Sequence, residues 1–349
     1  MRLETLLGID VPVIQAPMAG SQGSALAIAV ADAGGLGSLP CAVLGLGAMR
    51  DEIAAIRAAT AKPFNVNFFC HATPAPDAAR EAAWRQALAP YFAEYGIDPA
   101  TVPVGPGRRP FDAEIAAGLA DLRPPIVSFH FGLPADDLLA RVRRWGAMVM
   151  ATATTVAEAC WLEARGVDVV IAQGLEAGGH RGHFLTEDPS LQMGTLALVR
   201  QVVRAVRVPV VAAGGIADAA GVAAARALGA AGVQVGTAYL SCPEAATSAL
   251  HRAALASDAA DTTAVTNLFT GRPARAIVNR LIRDLGPMSA LAPAFPTAAF
   301  ALAPLRAKAE SLGRDDFSPL WAGQSARVGE RVGAAELTRT LAAGFAGGA

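Results

Sequence analysis

Eight short apolar runs, each followed by a longer stretch, constrain this chain more than any single residue does. The runs are Val11–Gln15, Gly35–Leu39, Phe64–Phe68, Ile126–Phe129, Met148–Ala151, Val167–Ala172, Val208–Ala213 and Gly232–Gly236. Between them lie segments with helical spacing: Ser24–Ala33, Arg50–Ala59, Asp77–Tyr95, Ala135–Arg144, Thr155–Arg165, Thr195–Val206 and Asp218–Ala227. Strands separated by helices pair in parallel through crossovers. Eight such units predict an α/β fold closed into a (β/α)8 barrel. A doubly wound open sheet is the competitor with the same local pattern. Thr154-Thr155 and Asp218 supply helix starts, and Gly166 and Gly229 supply stops.

The 349 residues fit one large domain or two ordinary ones. The gap from Phe68 to Ile126 exceeds one crossover and predicts an insertion around residues 70–125. Within it, Pro103 to Pro110 reads as an exposed loop. Beyond Tyr239 the alternation stops and prolines recur. Residues 1–240 are therefore expected to form the barrel. Residues 241–349 are expected to form a mostly helical segment over its mouth, fraying from Gly344 onward.

Net charge is −1 and no basic run is interleaved with aromatics, so neither nucleic acid nor an anionic membrane is an expected partner. Met1–Asp10 lacks the pattern of a signal peptide, and the apolar stretch Gly23–Met49 is broken by Asp32, Pro40 and glycines. A cytoplasmic protein is expected. Cys41, Cys70, Cys160 and Cys242 are far apart, which predicts buried reduced thiols rather than a zinc site or disulfides. Lys62 and Lys308 are the only lysines, so Schiff-base and Walker-type lysine chemistry has almost no candidate.

The segment Ile171 to His183 carries the strongest chemical signal. A buried strand runs into Gly174, Gly178 and Gly179, and these deliver His180 into a turn. Glycine lets a backbone approach a flat ligand or an anion, and histidine moves protons near neutral pH. Two further glycine turns, Gly214-Gly215 and Gln234-Val235-Gly236-Thr237, follow the last two strands. In barrels of this kind, main-chain N–H groups there hold a phosphate. Met18 ends the first strand and offers a soft apolar contact. Asn65 and Asn67 share one face of the third strand by alternation, and Gln173 ends the sixth. Amides facing a cavity suit the polar edge of a flavin ring.

Ser128 and His130 share a face of the fourth strand and are candidate pocket residues. His183 is expected to be solvated, His251 to lie on the surface, and His71 has a weaker claim. Glu176 is close to His180 in sequence and could orient it, but a structural role is expected. No HExxH, HxxxH or carboxylate cluster supports a metal, and no GxSxG supports a hydrolase nucleophile.

The motifs QAPMAG, NVNFF, SFHFG, AQGLEAGGHRG, AAGGIAD, QVGTAYL and GRPARAIVNR together resemble the nitronate monooxygenase family, formerly called 2-nitropropane dioxygenase. The resemblance implies an FMN-dependent TIM barrel that oxidises alkyl nitronates, such as propionate 3-nitronate, with O2. It maps the catalytic histidine onto His180. FMN contacts fall on Asn67, Gln173, Gly178, Gly215 and the run from Gln234 to Thr237, with Gly179 and Gly214 in the same turns. A monomer and a homodimer both remain open. The alternative within the same superfamily is an FMN-dependent NAD(P)H:quinone or enoyl reductase. Some flavin barrels carry a lysine near the end of strand five, where this chain has Ala151-Thr152-Ala153-Thr154. A carboxylate-bearing substrate would want a cation at the mouth, for which Arg275 and Lys308 are candidates.

Overall fold

The computed structural model describes residues 2–102 and 108–346, so Pro103–Gly107 of the expected exposed loop and the last three residues lie outside it. Eleven strands occur among the described residues: β1 (Val13–Gln15), β2 (Gly37–Pro40), β3 (Phe64–Phe69), β4 (Ile126–His130), β5 (Met148–Ala153), β6 (Val169–Gln173), β7 (Gly179–His180), β8 (Val210–Ala213), β9 (Gly232–Val235), β10 (Thr263–Thr266) and β11 (Ala274–Ile277). Eight of them form one parallel sheet in the order β1-β9-β8-β6-β5-β4-β3-β2. A parallel bridge between Ile14 and Leu36 joins β1 to β2, so the sheet closes and the open-sheet alternative fails. These eight strands fall on the eight apolar runs of the sequence, and the fold is a TIM barrel.

Period-two alternation sorts each strand into an outer and an inner face. Val127 and Phe129 of β4, Val149 and Ala151 of β5, and Val170 and Ala172 of β6 point outward into the main core under the helices. Ile126, Met150, Val169, Ile171 and Val211 point inward and fill the barrel. Leu3 and Leu7 of the helix Leu3–Leu7, with Ile9, join this inner cluster, so the N-terminal segment plugs the barrel floor. Higher on the same inner faces the residues turn polar: Asn65, Asn67, Ser128, Thr152 and Gln173 are all buried there. The barrel is thus dry and apolar below and hydrogen-bonding above.

The chain after residue 240 is less helical than expected. β10 and β11 pair antiparallel, and β11 pairs antiparallel with β7, matching Ala274 to His180 and Arg275 to Gly179. The helix Ala298–Ser311 packs on the insertion helix Ala78–Glu94. Their shared cluster includes Trp84, Leu88, Phe92, Leu302, Leu305 and Phe317. The last helix, Ala334–Ala346, leaves the mouth altogether and packs on the helices Ala219–Ala227 and Ser24–Asp32. Gly344 does not fray: a Cβ there would lie 2.4 Å from the Ala219 carbonyl oxygen, so only glycine lets this helix approach.

Gly37 makes a closer contact still. A Cβ on it would meet the Ala27 carbonyl oxygen at 2.1 Å, so β2 and the helix Ser24–Asp32 touch backbone to backbone. Gly37→Ala is expected to destabilise the fold by about 3 kcal/mol, the upper range of core overpacking. Thermal or urea unfolding of the variant checks this, and an unchanged midpoint would show that the helix and strand separate at little cost.

Candidate active site

The polar upper layer of the barrel is a connected network. Asn65 Nδ2 donates to Ser38 Oγ at 3.0 Å and to Ser128 Oγ at 2.9 Å. Asn67 Nδ2 donates to Ser128 Oγ at 2.9 Å and to the Ser128 carbonyl at 3.2 Å. Of the two asparagines, Asn67 sits one step higher and lines a cavity of about 1300 Å³, open mouth included. Met18, Gln173, Gly178, Gly179, Gly214, Gly215, Gln234, Gly236 and Thr237 line it too, as do Ser128, His130 and His180. Val235 does not. Its side chain packs into the outer core, as alternation from Gln234 requires, and its carbonyl accepts from Ala16 N at 2.8 Å.

Glycines carry the chain from β6 to His180, and the barrel then clamps the loop. The His180 carbonyl accepts from Gln173 Nε2 at 3.0 Å and from His130 Nε2 at 3.2 Å. Gln173 Oε1 accepts from Gly182 N at 2.8 Å. Both ends of the Gln173 amide therefore hold the loop. His130 is a strut as well: with Nε2 donating, Nδ1 accepts from Thr152 Oγ1 at 3.0 Å.

Beyond His180, Arg181 is fully buried and donates to Gln192 Oε1 at 2.7 Å and to the Gln173 carbonyl at 2.9 Å. The fully buried Glu158 carboxylate accepts from Thr154 N and Oγ1 and from Phe184 N and Leu185 N. Four donors satisfy a charge that would otherwise cost several kcal/mol to bury.

The His180 ring sits among Phe69, Phe131, Phe295 and Trp321, with centroids 5.3 to 6.2 Å away. Its Nε2 lies 2.9 Å from Thr270 Oγ1. Burial, then the charges of Arg108 and Arg272, hold its pKa well below the ordinary histidine value. Arg272 lies over the Phe131 ring at 4.1 Å and donates to the His183 carbonyl. Phe131 itself holds φ 70°, a conformation that costs on the order of 1–3 kcal/mol.

The opposite wall is made of turns. Gly214 and Gly215 take φ 113° and 72°. Glu176 accepts from Thr195 N at 2.7 Å and from Thr195 Oγ1 at 2.8 Å, so its role is structural. Asp218 caps the helix Ala219–Ala227 by accepting from Gly221 N at 2.7 Å. A distant segment closes over these turns. Gly323 N donates to Thr237 Oγ1 at 3.0 Å, and Ser325 Oγ donates to the Gly215 carbonyl at 2.8 Å. Gln234 Oε1 is buried with no partner among the described residues, an acceptor left for a ligand N–H.

Several expectations need correction. His183 is buried rather than solvated. His251 is buried too, bonds the Trp321 carbonyl through Nε2 at 3.1 Å and lines the cavity. Arg275 donates to the Leu175 carbonyl at 2.8 Å and to Thr263, and Lys308 is exposed; neither lines the cavity. The cation in the wall is Arg108, whose guanidinium lies 5.7 Å from the Phe295 ring and has no hydrogen bond or ion pair among the described residues. His71, buried against Phe295, bonds the Arg108 carbonyl at 3.1 Å. Arg108, Trp321 and Ser325 have no strand, glycine or spacing signal to mark them in the sequence, and Gly323 follows none of the eight apolar runs. Cys160 is exposed and Cys70 half-buried, whereas Cys41 and Cys242 are buried as expected.

Burial pushes His130 and His183 down to about 3 and His251 down to about 4. Each is neutral in the fold and binds a proton more readily once unfolded. Their contribution is complete above the unfolded value near 6.5 and declines as pH falls from there toward the folded values. From pH 7 to pH 5.5 the protein is expected to lose roughly 1 kcal/mol per histidine, seen as a falling melting temperature. A flat melting profile over that interval would contradict the buried neutral assignment.

A model of the family described as nitronate monooxygenase matches residues 1–344. A nitronate monooxygenase of Pseudomonas aeruginosa is 45% identical over 345 residues, covering 97% of each chain. One from Paraburkholderia phytofirmans is 44% identical over 339 residues, covering 96% of this chain and 92% of its own. Among solved structures, a nitroalkane oxidase from Streptomyces ansochromogenes matches with a TM-score of 0.87 at 40% identity, covering 98% and 97% of the two chains. FabK from Thermotoga maritima matches with a TM-score of 0.73 at 26% identity, covering 99% and 95%. With the barrel, the glycine turns and the clamped histidine in place, this chain belongs to the nitronate monooxygenase family.

Proposed function

We propose that this chain is an FMN-dependent nitronate monooxygenase that oxidises alkyl nitronates with O2 to a carbonyl compound and nitrite or nitrate. The observation that carries the reading is the His180 imidazole, held at a wide cavity between glycine turns and aromatic rings. The names of the similar proteins support the same chemistry.

The residues present fit FMN. Main-chain N–H groups at Gly215, Gly236 and Thr237, beside the N-terminus of the helix Ala219–Ala227, would hold the phosphate without a lysine. Gln234 Oε1 offers a free acceptor to a ring N–H, and Met18 and Asn67 would border the flat ring. When bound, FMN supplies the electron transfer between nitronate and O2, and the protein supplies orientation.

Phe69, Phe131, Phe295 and Trp321 exclude water from the face that His180 occupies. Arg108 provides the positive charge that an anionic substrate meets on entry. Its guanidinium, without a hydrogen bond or ion pair among the described residues, is placed to bind a carboxylate on the substrate's far end.

The purified protein is expected to be yellow, to release FMN on heating, and to produce nitrite from propionate 3-nitronate in air. Rapid bleaching by NADH without O2 would favour the reductase alternative instead. His180→Asn should lower kcat/KM for nitroethane by about 100-fold, the lower range for loss of a proton-transfer group. Arg108→Ala should raise KM for propionate 3-nitronate about tenfold, the worth of one charged hydrogen bond, and leave ethyl nitronate nearly unchanged. Equal effects on the two nitronates would remove Arg108 from substrate recognition.

A further inference from the structure

Two roles are open to an imidazole in this position. It can donate a hydrogen bond to nitronate oxygens, or it can accept the α-proton of a neutral nitroalkane. The choice depends on which ring nitrogen carries hydrogen, because a neutral imidazole has one donor and one acceptor. The contact that bears on it comes from a residue 90 positions away. Thr270, buried in the turn between β10 and β11, places Oγ1 2.9 Å from His180 Nε2.

A hydroxyl has one proton to give and lone pairs to receive. The Arg272 carbonyl lies 3.4 Å from Thr270 Oγ1 and is positioned to take that proton. The Arg272 N–H lies 3.5 Å from the same oxygen as a further donor. With its proton turned to the Arg272 carbonyl, Thr270 meets the histidine as an acceptor. Nε2 must then carry the hydrogen. Nδ1 is left as a bare lone pair, with no hydrogen-bond partner among the described residues, on a ring that lines the cavity.

We propose that Thr270 is a positioning residue that fixes His180 as its Nε2–H tautomer and leaves Nδ1 to accept the α-proton of neutral nitroalkanes. This rests on the proposed function of the same site and defines which of its substrates need the histidine as a base. In the step, the Nδ1 lone pair takes the proton from the α-carbon. The C–H electron pair becomes the C=N bond, and a nitro oxygen gains the negative charge. Nitronate and imidazolium result, with nothing oxidised, and the proton later passes to water. Nε2–H stays bonded to Thr270 throughout, and that bond strengthens when the ring is charged. Burial and the Arg108 and Arg272 charges make this a weak base. Neutral nitroalkanes should therefore turn over more slowly than nitronates, which arrive already deprotonated and skip the step.

The experiment compares wild type, Thr270→Val and Thr270→Ser as full-length, FMN-loaded protein, on nitroethane and on preformed ethyl nitronate. Nitrogen NMR of labelled histidines, without substrate, reads the tautomer of the wild type directly. Thr270→Val should lower kcat/KM for nitroethane by at least about tenfold, a modest fraction of a full base contribution, and change ethyl nitronate by under about twofold. Thr270→Ser, which keeps the hydroxyl, should restore most of the loss. The wild-type spectrum should show His180 protonated at Nε2.

Equal losses on both substrates, or a His180 protonated at Nδ1 in the wild type, would overturn the proposal. A valine variant that fails to fold leaves the serine variant and the wild-type spectrum to decide it. Wild type inactive on both substrates would sink the proposed function, while the spectrum still judges the tautomer.

Discussion

The carbonyl of His180 accepts one hydrogen bond from Gln173 and another from His130, and the rest of the site depends on that pair of bonds. A loop containing Gly174, Gly178, Gly179 and Gly182 has little conformational preference of its own. Its shape must be imposed from outside. The barrel imposes it from below through Gln173 and His130, and β11 imposes it from the side by pairing Ala274 with His180. Glu158 anchors the far end at Phe184 and Leu185. A reactive side chain on a flexible loop is thereby given the rigidity of the sheet beneath it.

The same clamp explains an electrostatic feature of the site. His130, His180 and His251 line one cavity with Arg108 in its wall, and among the described residues no carboxylate lines it. Neutral imidazoles tolerate such a place, and charged ones would not. Among the described residues its wall offers an arginine and no carboxylate, which suits an anion that arrives already ionised. An imidazolium is disfavoured there by desolvation and by its neighbours. Chemistry on nitronates is favoured over chemistry that begins with proton removal.

The chain after residue 240 does more than cover the mouth. Through β10 and β11 it supplies the edge on which β7 forms, and through Gly323 and Ser325 it holds the glycine turns after β8 and β9. Its final helix then returns to the outer ring beside the helix Ala219–Ala227. A segment that reads as an appendage is built into the barrel at three places. Loosening it would disturb the histidine and the turns together.

The barrel strands were legible in the sequence because their signal is local. Alternation with period two and apolar runs ended by glycine are properties of neighbouring residues, and they hold wherever the strand is placed. The inward Asn67 followed from the same periodicity, and Gln173, the glycine turns and His180 from their places at or just after strand ends. The environments of the polar residues were not legible. Burial of His183, His251 and Arg181, the choice of Arg108 over Arg275 as the cation in the wall, and the Thr270 contact all join residues far apart in the chain. A polar side chain can be buried only where partners meet its hydrogen bonds, and those partners are brought together by chain closure alone. The sequence by itself determined the barrel and the loop that carries His180. Tertiary structure decided what surrounds that ring, because the identity of its neighbours is a property of the closed fold.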